Sequence, residues 1–88
     1  MKKWVVIRSE VYKEGDLYVA VCPDLDVSSF GETLVEARES QKEAVEAFLE
    51  ECEGMGTLQE VLEESGFALS KNQWLPRQPV SAELVAIG

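Results

Sequence analysis

Histidine is absent from this sequence of 88 residues, and its absence removes several kinds of catalytic site. Ser-His-Asp and Cys-His nucleophile systems need an imidazole as their base, and imidazole is the commonest transition-metal ligand in proteins. Cysteine is scarce too, since Cys22 and Cys52 are far apart and form no CxxC pair. We interpret them as two small buried thiols, with a disulfide or a metal site as the lesser alternative. We expect no enzymatic activity and no cofactor.

Long hydrophobic runs are also missing. No apolar run approaches the roughly 20 residues that span a bilayer, and the apolar run that follows Met1-Lys2-Lys3 is too short for a signal peptide. Hydrophobic residues make up 45% of the sequence and charged residues 28%, which is typical of a globular protein with one modest core. We therefore expect a single domain over residues 1–88, located in the cytoplasm.

Basic residues are few, with 8 lysines and arginines against 17 aspartates and glutamates. The segment from Glu32 to Glu64 holds eleven acids and only two bases, Arg38 and Lys42, so it carries the whole net charge of −9. Such a segment repels a phosphate backbone, and direct binding to nucleic acid is therefore not expected.

Alternating apolar residues and turn residues predict an α+β fold, an antiparallel sheet with one long and one short helix packed on one face. The sheet consists of a three-strand meander and a C-terminal strand. Pro23 ends the second strand because proline donates no ladder hydrogen bond. Trp74 and Leu75 are expected to pin the late loop to the body of the protein. The predicted segments are strands at 3–11, 17–22 and 27–30, a loop at 69–79 and a last strand at 80–87.

Two capping boxes mark the predicted helix starts. Thr33 with Glu36 opens a long helix that ends near Cys52, and Thr57 with Glu60 opens a short helix. Gly66 suits the left-handed position that closes a helix. The predicted inward stripe of the long helix consists of Leu34, Ala37, Gln41, Ala44, Val45, Phe48, Leu49 and Cys52.

Three blocks in order resemble the HicB antitoxin family. They read YVAVCPDL from Tyr18, GETLVEA from Gly31 and EAVEAFL from Glu43, and they cover about two thirds of the chain. The resemblance implies a partial ribonuclease-H-like fold without nuclease activity, and a partner, HicA, which is a small basic toxin that cleaves mRNA. The motif residues are Tyr18, Pro23, Leu25, Gly31, Thr33, Glu36 and Ala37.

One departure from the family concerns DNA. Full-length members often carry a C-terminal DNA-binding domain, but residues 71–88 hold only two bases, Lys71 and Arg77, and are too few for such a domain. Autorepression by this chain is therefore not expected.

The acidic face of the long helix, together with the neighbouring sheet edge, is the predicted partner-binding site. Its residues are Glu39, Glu43, Glu46 and Glu50. Glutamates on an exposed helix face are often only a solvated surface, and that interpretation stays open. A basic partner is favoured because Glu50, Glu51 and Glu53 crowd the helix C-terminus, where the helix dipole disfavours negative charge.

Two alternatives to a toxin-binding antitoxin remain. One is an orphan oligomeric binding module of the same kind, and the other is a small metal-dependent hydrolase that uses Asp24, Asp26 and Glu32. A homodimer or a higher oligomer is expected in any case, since the short strands at 27–30 and 80–87 leave sheet edges that self-pairing covers.

Overall fold

The computed structural model describes residues 3–88 and has the predicted α+β architecture. Met1 and Lys2, which the sequence places ahead of the first strand, lie outside the described residues. Six short strands form two three-stranded sheets, and two helices lie between the fourth and fifth strands. The elements are β1 (Trp4–Val5), β2 (Glu10–Glu14), β3 (Leu17–Cys22), β4 (Val27–Gly31), α1 (Leu34–Gly54), α2 (Leu58–Glu64), β5 (Ala68–Ser70) and β6 (Gln73–Leu75).

The first sheet is an antiparallel meander in the order β2-β3-β4. The strands predicted at 17–22 and 27–30 are confirmed as β3 and β4. The strand predicted at 3–11 is wrong as a single element, because it divides into β1 and β2. The two parts pair with different neighbours: β2 pairs with β3, whereas β1 pairs with β6 and the Val6 N–H donates to the Trp74 carbonyl. Residues 6–9 carry the chain from one sheet to the other.

The second sheet has the order β1-β6-β5, with β1 parallel and β5 antiparallel to β6. The loop predicted at 69–79 is therefore wrong in part, because β5 and β6 form a hairpin there. Its two turn residues, Lys71 and Asn72, both have positive φ (47° and 68°), as in the two-residue turns that match strand twist. Trp74 is buried, as predicted.

The predicted C-terminal strand at 80–87 is wrong. Residues 80–88 form no helix or strand, and Val80 and Leu84 are fully exposed. Pro76 and Pro79 precede this segment, and neither residue can donate a hydrogen bond to continue the ladder from β6. The meander is confirmed, but the fourth strand of the prediction is replaced by the separate second sheet.

Helix α1 packs mainly on β4 and β3, and its buried side chains confirm the predicted inward stripe from Ala37 onwards. The inward position predicted for Leu34 is wrong, because this first residue of the helix is exposed. Helix α2 places Leu62, which is fully buried, beneath the C-terminal half of α1. Together with the ends of β3 and β6 they enclose one core. Its buried residues are Cys22, Leu25, Val45, Leu49, Leu62, Phe67 and Trp74.

The two predicted capping boxes have different outcomes. Thr33 caps α1, since its Oγ1 accepts from the Glu36 N–H at 3.1 Å, but the Glu36 carboxylate accepts from the Glu32 N–H (2.9 Å) instead of from Thr33. The second box is wrong, because Thr57 makes no side-chain cap to α2. Its hydroxyl donates to the Cys52 carbonyl instead, at 3.3 Å.

Candidate functional site

The four predicted partner-binding glutamates adjoin two different depressions beside α1. Glu39 and Glu43 line one depression, next to β4, and Glu46 and Glu50 line the other, next to the β1 side of the molecule. All four side chains are exposed. The structure therefore divides what the sequence predicts as one acidic site into two surfaces with different chemistry.

The depression beside β4, which we call the edge surface, combines apolar and acidic side chains. Leu17, Phe30 and Val35 form its apolar part, and Phe30 and Val35 are 64% and 66% exposed. Strand β4 is the outer strand of its sheet, so the unpaired backbone of an edge strand lies alongside. No basic side chain is among its lining residues, and its acids are Glu32, Glu36, Glu39 and Glu43.

The corner that builds the edge surface depends on close backbone approach. Gly31 ends β4 opposite Tyr18, and a methyl group added to Gly31 would lie 2.5 Å from the Ala37 backbone nitrogen. Only glycine lets the strand pass this close to the first turn of α1. Ala37 itself is fully buried, and Thr33 fixes the start of the helix by its cap.

The motif residues of the HicB-like blocks are thus structural in this fold. Leu25 is in the core, Pro23 follows directly after β3, and the Tyr18 ring lies 5.6 Å from the Lys13 ammonium. They position the edge surface and contribute none of its exposed side chains, except that Gly31 and Glu36 lie along its border.

The second depression is a groove of about 690 Å³ between α1 and the chain around β1. We call it the groove. Trp4, Val5, Ile7, Val45 and Leu49 supply its apolar walls, and Trp4 is 77% exposed. Its charged residues are Lys3, Arg38, Lys42, Glu46 and Glu50. The sequence analysis missed this site, although one signal was present: the only two bases of the acidic segment, Arg38 and Lys42, both line the groove.

Gln41 also lines the groove and, within residues 3–88, is the one polar residue that is buried. The Ser9 hydroxyl donates to its Oε1, but its Nε2 has no hydrogen-bond partner within residues 3–88. An unsatisfied buried donor costs roughly 1–3 kcal/mol. Gln41 therefore places a polar amide among the apolar side chains of the groove, and its unsatisfied donor lowers the free energy of unfolding.

The carboxylates of the metal-dependent alternative are not assembled into a metal site. Asp24 forms an ion pair with Arg8 (3.1 Å), whose guanidinium also donates to the Arg77 carbonyl (2.6 Å). Asp26 has a positive φ of 56° in the turn between β3 and β4. Across the described part of the chain, no three His, Cys, Asp or Glu side chains are grouped so that they could hold a metal ion.

The two cysteines are free and buried, which confirms their interpretation as small buried thiols. Burial raises the pKa of the Cys22 thiol above its ordinary value, because the thiolate would lose its hydration. A thiol with a raised pKa is a poor nucleophile near neutral pH. Cys22 therefore offers no reactive centre.

Comparison with known proteins finds no matching family model, no matching curated protein and no matching solved structure. The likeness to HicB antitoxins therefore remains a prediction from three sequence blocks. Separately, none of the helices within residues 3–88 is both long and apolar enough to cross a membrane.

Proposed function

We propose that this chain is a protein-binding module of the HicB antitoxin type. It binds a small basic mRNA-cleaving toxin in the cytoplasm and blocks its RNA-binding surface. The observation that carries the proposal is the edge surface, where exposed apolar side chains and acidic side chains with no basic neighbour in the lining lie beside an open strand edge.

The apolar part of the edge surface supports binding to a protein rather than to a small ion. Phe30 and Val35 are large, adjacent in the lining and mostly exposed, and aromatic anchors with a polar rim are typical of protein interfaces. An exposed edge strand adds backbone donors and acceptors that a partner strand can use. The apolar side chains can therefore supply affinity, and the strand edge can set the register in which a partner strand pairs.

The charge of the edge surface supports a basic partner. A ribonuclease that binds mRNA needs a positive surface for the phosphates, and the same surface is complementary to the Glu32, Glu39 and Glu43 carboxylates. Complementary charge mainly speeds association and excludes wrong partners. An acidic protein surface can thus compete with RNA for the same cationic residues.

The toxin class in this proposal comes from the resemblance of three sequence blocks to HicB antitoxins, whose partner is a HicA toxin. The absence of a metal group among residues 3–88 makes the hydrolase alternative weaker than this one.

The test is co-expression with an adjacent open reading frame for a small basic protein. We expect the wild-type chain to rescue growth and to co-purify with that protein. Glu39→Lys combined with Glu43→Lys should slow association at least roughly tenfold at low salt and abolish rescue, because two favourable charges become repulsive. The measurement is surface plasmon resonance at several salt concentrations together with a growth assay.

A matched control is available on α2. Glu60→Lys with Glu63→Lys makes the same change in charge at exposed positions outside the edge surface, and it should keep rescue and binding. Equal loss in both double variants would show that only net charge matters. A toxic neighbour that the wild-type chain neither binds nor rescues would disprove the antitoxin proposal.

A further inference from the structure

We infer that the groove is a two-fold interface between two copies of this chain, in which the α1 helices pack antiparallel. The inference rests on the order of charges along the groove and does not depend on the proposed toxin partner.

The groove residues of α1 form a row with a spacing of four. Arg38, Lys42, Glu46 and Glu50 follow one another at every fourth position, so the row reads two positive charges and then two negative charges. Side chains four apart form one ridge of a helix. The row spans twelve residues, or about 18 Å along the helix axis.

Such a row is complementary to itself only when one copy is reversed. In an antiparallel pair centred between positions 42 and 46, Arg38 faces Glu50 of the second copy and Lys42 faces Glu46 of the second copy. Two-fold symmetry repeats both ion pairs, so four pairs form. A parallel pair in register would place like charges together. The order of charges therefore favours a second copy of this chain as the partner, with its α1 antiparallel to the first.

Within a single chain the same row is unfavourable. Two of its three neighbouring pairs, Arg38 with Lys42 and Glu46 with Glu50, are like charges four residues apart, which repel each other on a helix. None of the four side chains forms an ion pair or a hydrogen bond with the rest of the described chain. The third pair, Lys42 with Glu46, is of opposite charge, and a second copy supplies an opposite charge to all four side chains across the interface.

The apolar walls of the groove supply what such an interface needs at its centre. Val45 and Leu49 are buried at the floor of the groove, and the exposed apolar surface comes from the β1 side, from Trp4 and in part from Val5 and Ile7. Helix α1 packs mainly on β3 and β4 and leaves this side open. An exposed tryptophan beside an apolar groove is the kind of residue that dominates binding energy at protein interfaces.

The other available occupant is the exposed C-terminal segment, residues 80–88. It is apolar, but its only charged side chain is Glu83. Docked in the groove, it would cover the four charges of the row with apolar groups and supply only one charge of its own, Glu83, which is costly. A second copy satisfies both ends of the charged row, and for that reason it is the occupant that we propose.

The experiment exchanges the charges between copies. R38E with K42E makes the row entirely acidic, and E46K with E50K makes it entirely basic, so each double variant should be monomeric alone. An equimolar mixture of the two should form a heterodimer, because all four pairs are then complementary. Sedimentation velocity measures the mass, which should be twice 9.8 kDa for the wild type and for the mixture.

Two controls separate the interface from the fold and from the toxin. The quadruple variant R38E, K42E, E46K, E50K carries a reversed row and should dimerise with itself, even if one double variant folds poorly. The double variant E39K, E43K makes an equal change in charge at the edge surface and should stay dimeric while it loses toxin binding. Circular dichroism confirms that each variant is folded.

Three results would overturn the inference. A wild-type chain that sediments as a monomer at high micromolar concentration excludes the interface. Double variants that stay dimeric place the contact elsewhere. Groove charges that leave assembly unchanged, while deletion of residues 80–88 abolishes it, identify the C-terminal segment as the occupant.

Discussion

At the scale of single residues, Gly31 determines whether strand and helix can meet. Strand β4 ends at Gly31, and the chain turns through Glu32 and Thr33 directly into α1. A methyl group at Gly31 would come within 2.5 Å of the Ala37 nitrogen and 2.7 Å of the Glu36 Cβ. Because the nearest of these atoms belongs to the helix backbone, a change of rotamer cannot relieve the overlap.

We therefore predict that Gly31→Ala destabilises the protein by roughly 1–3 kcal/mol, the usual cost of overpacking. Urea unfolding monitored by circular dichroism measures this difference. Gly54→Ala is the control, because a methyl group at Gly54 meets no atom within 4 Å. Equal effects at the two positions would show that the close approach at Gly31 is not what requires glycine.

At the scale of elements, the two helices begin in different ways although their sequences look alike. Thr33 has extended backbone (φ −130°, ψ 162°), and its hydroxyl accepts from the Glu36 N–H. Thr57 has ψ near 2°, and its own N–H already donates to the Cys52 carbonyl at 2.9 Å. The short connection from α1 holds Thr57 as the end of the first helix, so it does not cap the second.

This contrast predicts unequal effects of two identical substitutions. Thr33→Ala should cost about 1 kcal/mol, because the α1 N-terminus loses a cap. Thr57→Ala should cost less than half of that, since the Cys52 carbonyl keeps the backbone donor. Thermal unfolding of both variants under one condition measures the difference. A larger loss of stability from Thr57→Ala than from Thr33→Ala would show that Thr57 does cap α2, as the sequence predicts.

At the scale of the whole molecule, α1 separates two surfaces. The edge surface lies towards β4 and the groove towards β1, so the proposed dimer would leave the edge surface free for the proposed toxin. The charged residues of α1 line both surfaces. On the edge surface they are all acidic, whereas in the groove they are of both signs.

The C-terminal segment extends the molecule beyond its core. The radius of gyration is 14.7 Å, against about 12 Å for a compact domain of this length. Residues 80–88 belong to neither sheet, and Val80, Leu84 and Ile87 are nearly or fully exposed. The fold of the body therefore does not draw on this segment.

We predict that a chain ending at Pro79 keeps its free energy of unfolding to within about 0.5 kcal/mol, as for surface changes. Chemical denaturation at a single protein concentration measures it. Trp74→Ala is the contrasting variant, because Trp74 is a core residue, and its truncation should cost roughly 3–5 kcal/mol. A substantial loss from the truncated chain would show that residues 80–87 pair as the strand that their alternation predicts.

Features that depend on residues close together in the chain could be predicted from the sequence. The period of the apolar residues predicted α1 and its buried stripe, the alternation of residues 17–22 and 27–30 predicted β3 and β4, and Thr33 predicted the cap of α1. These signals are local, because a helix or a strand buries one face with a fixed period. The α+β class followed from their order.

Which segments pair, and which surfaces they create, depends on tertiary contacts. Alternation at 80–87 predicts a strand, yet this segment pairs with none of the strands in the described residues, whereas Gln73–Leu75 pairs with β1 and becomes a strand. The site also depends on tertiary contacts. From the sequence, the four glutamates at helical spacing are predicted to form one surface, but in the structure they line two. What adjoins them, Phe30 on one side and Trp4 on the other, depends on contacts between residues distant in sequence, which no local pattern encodes.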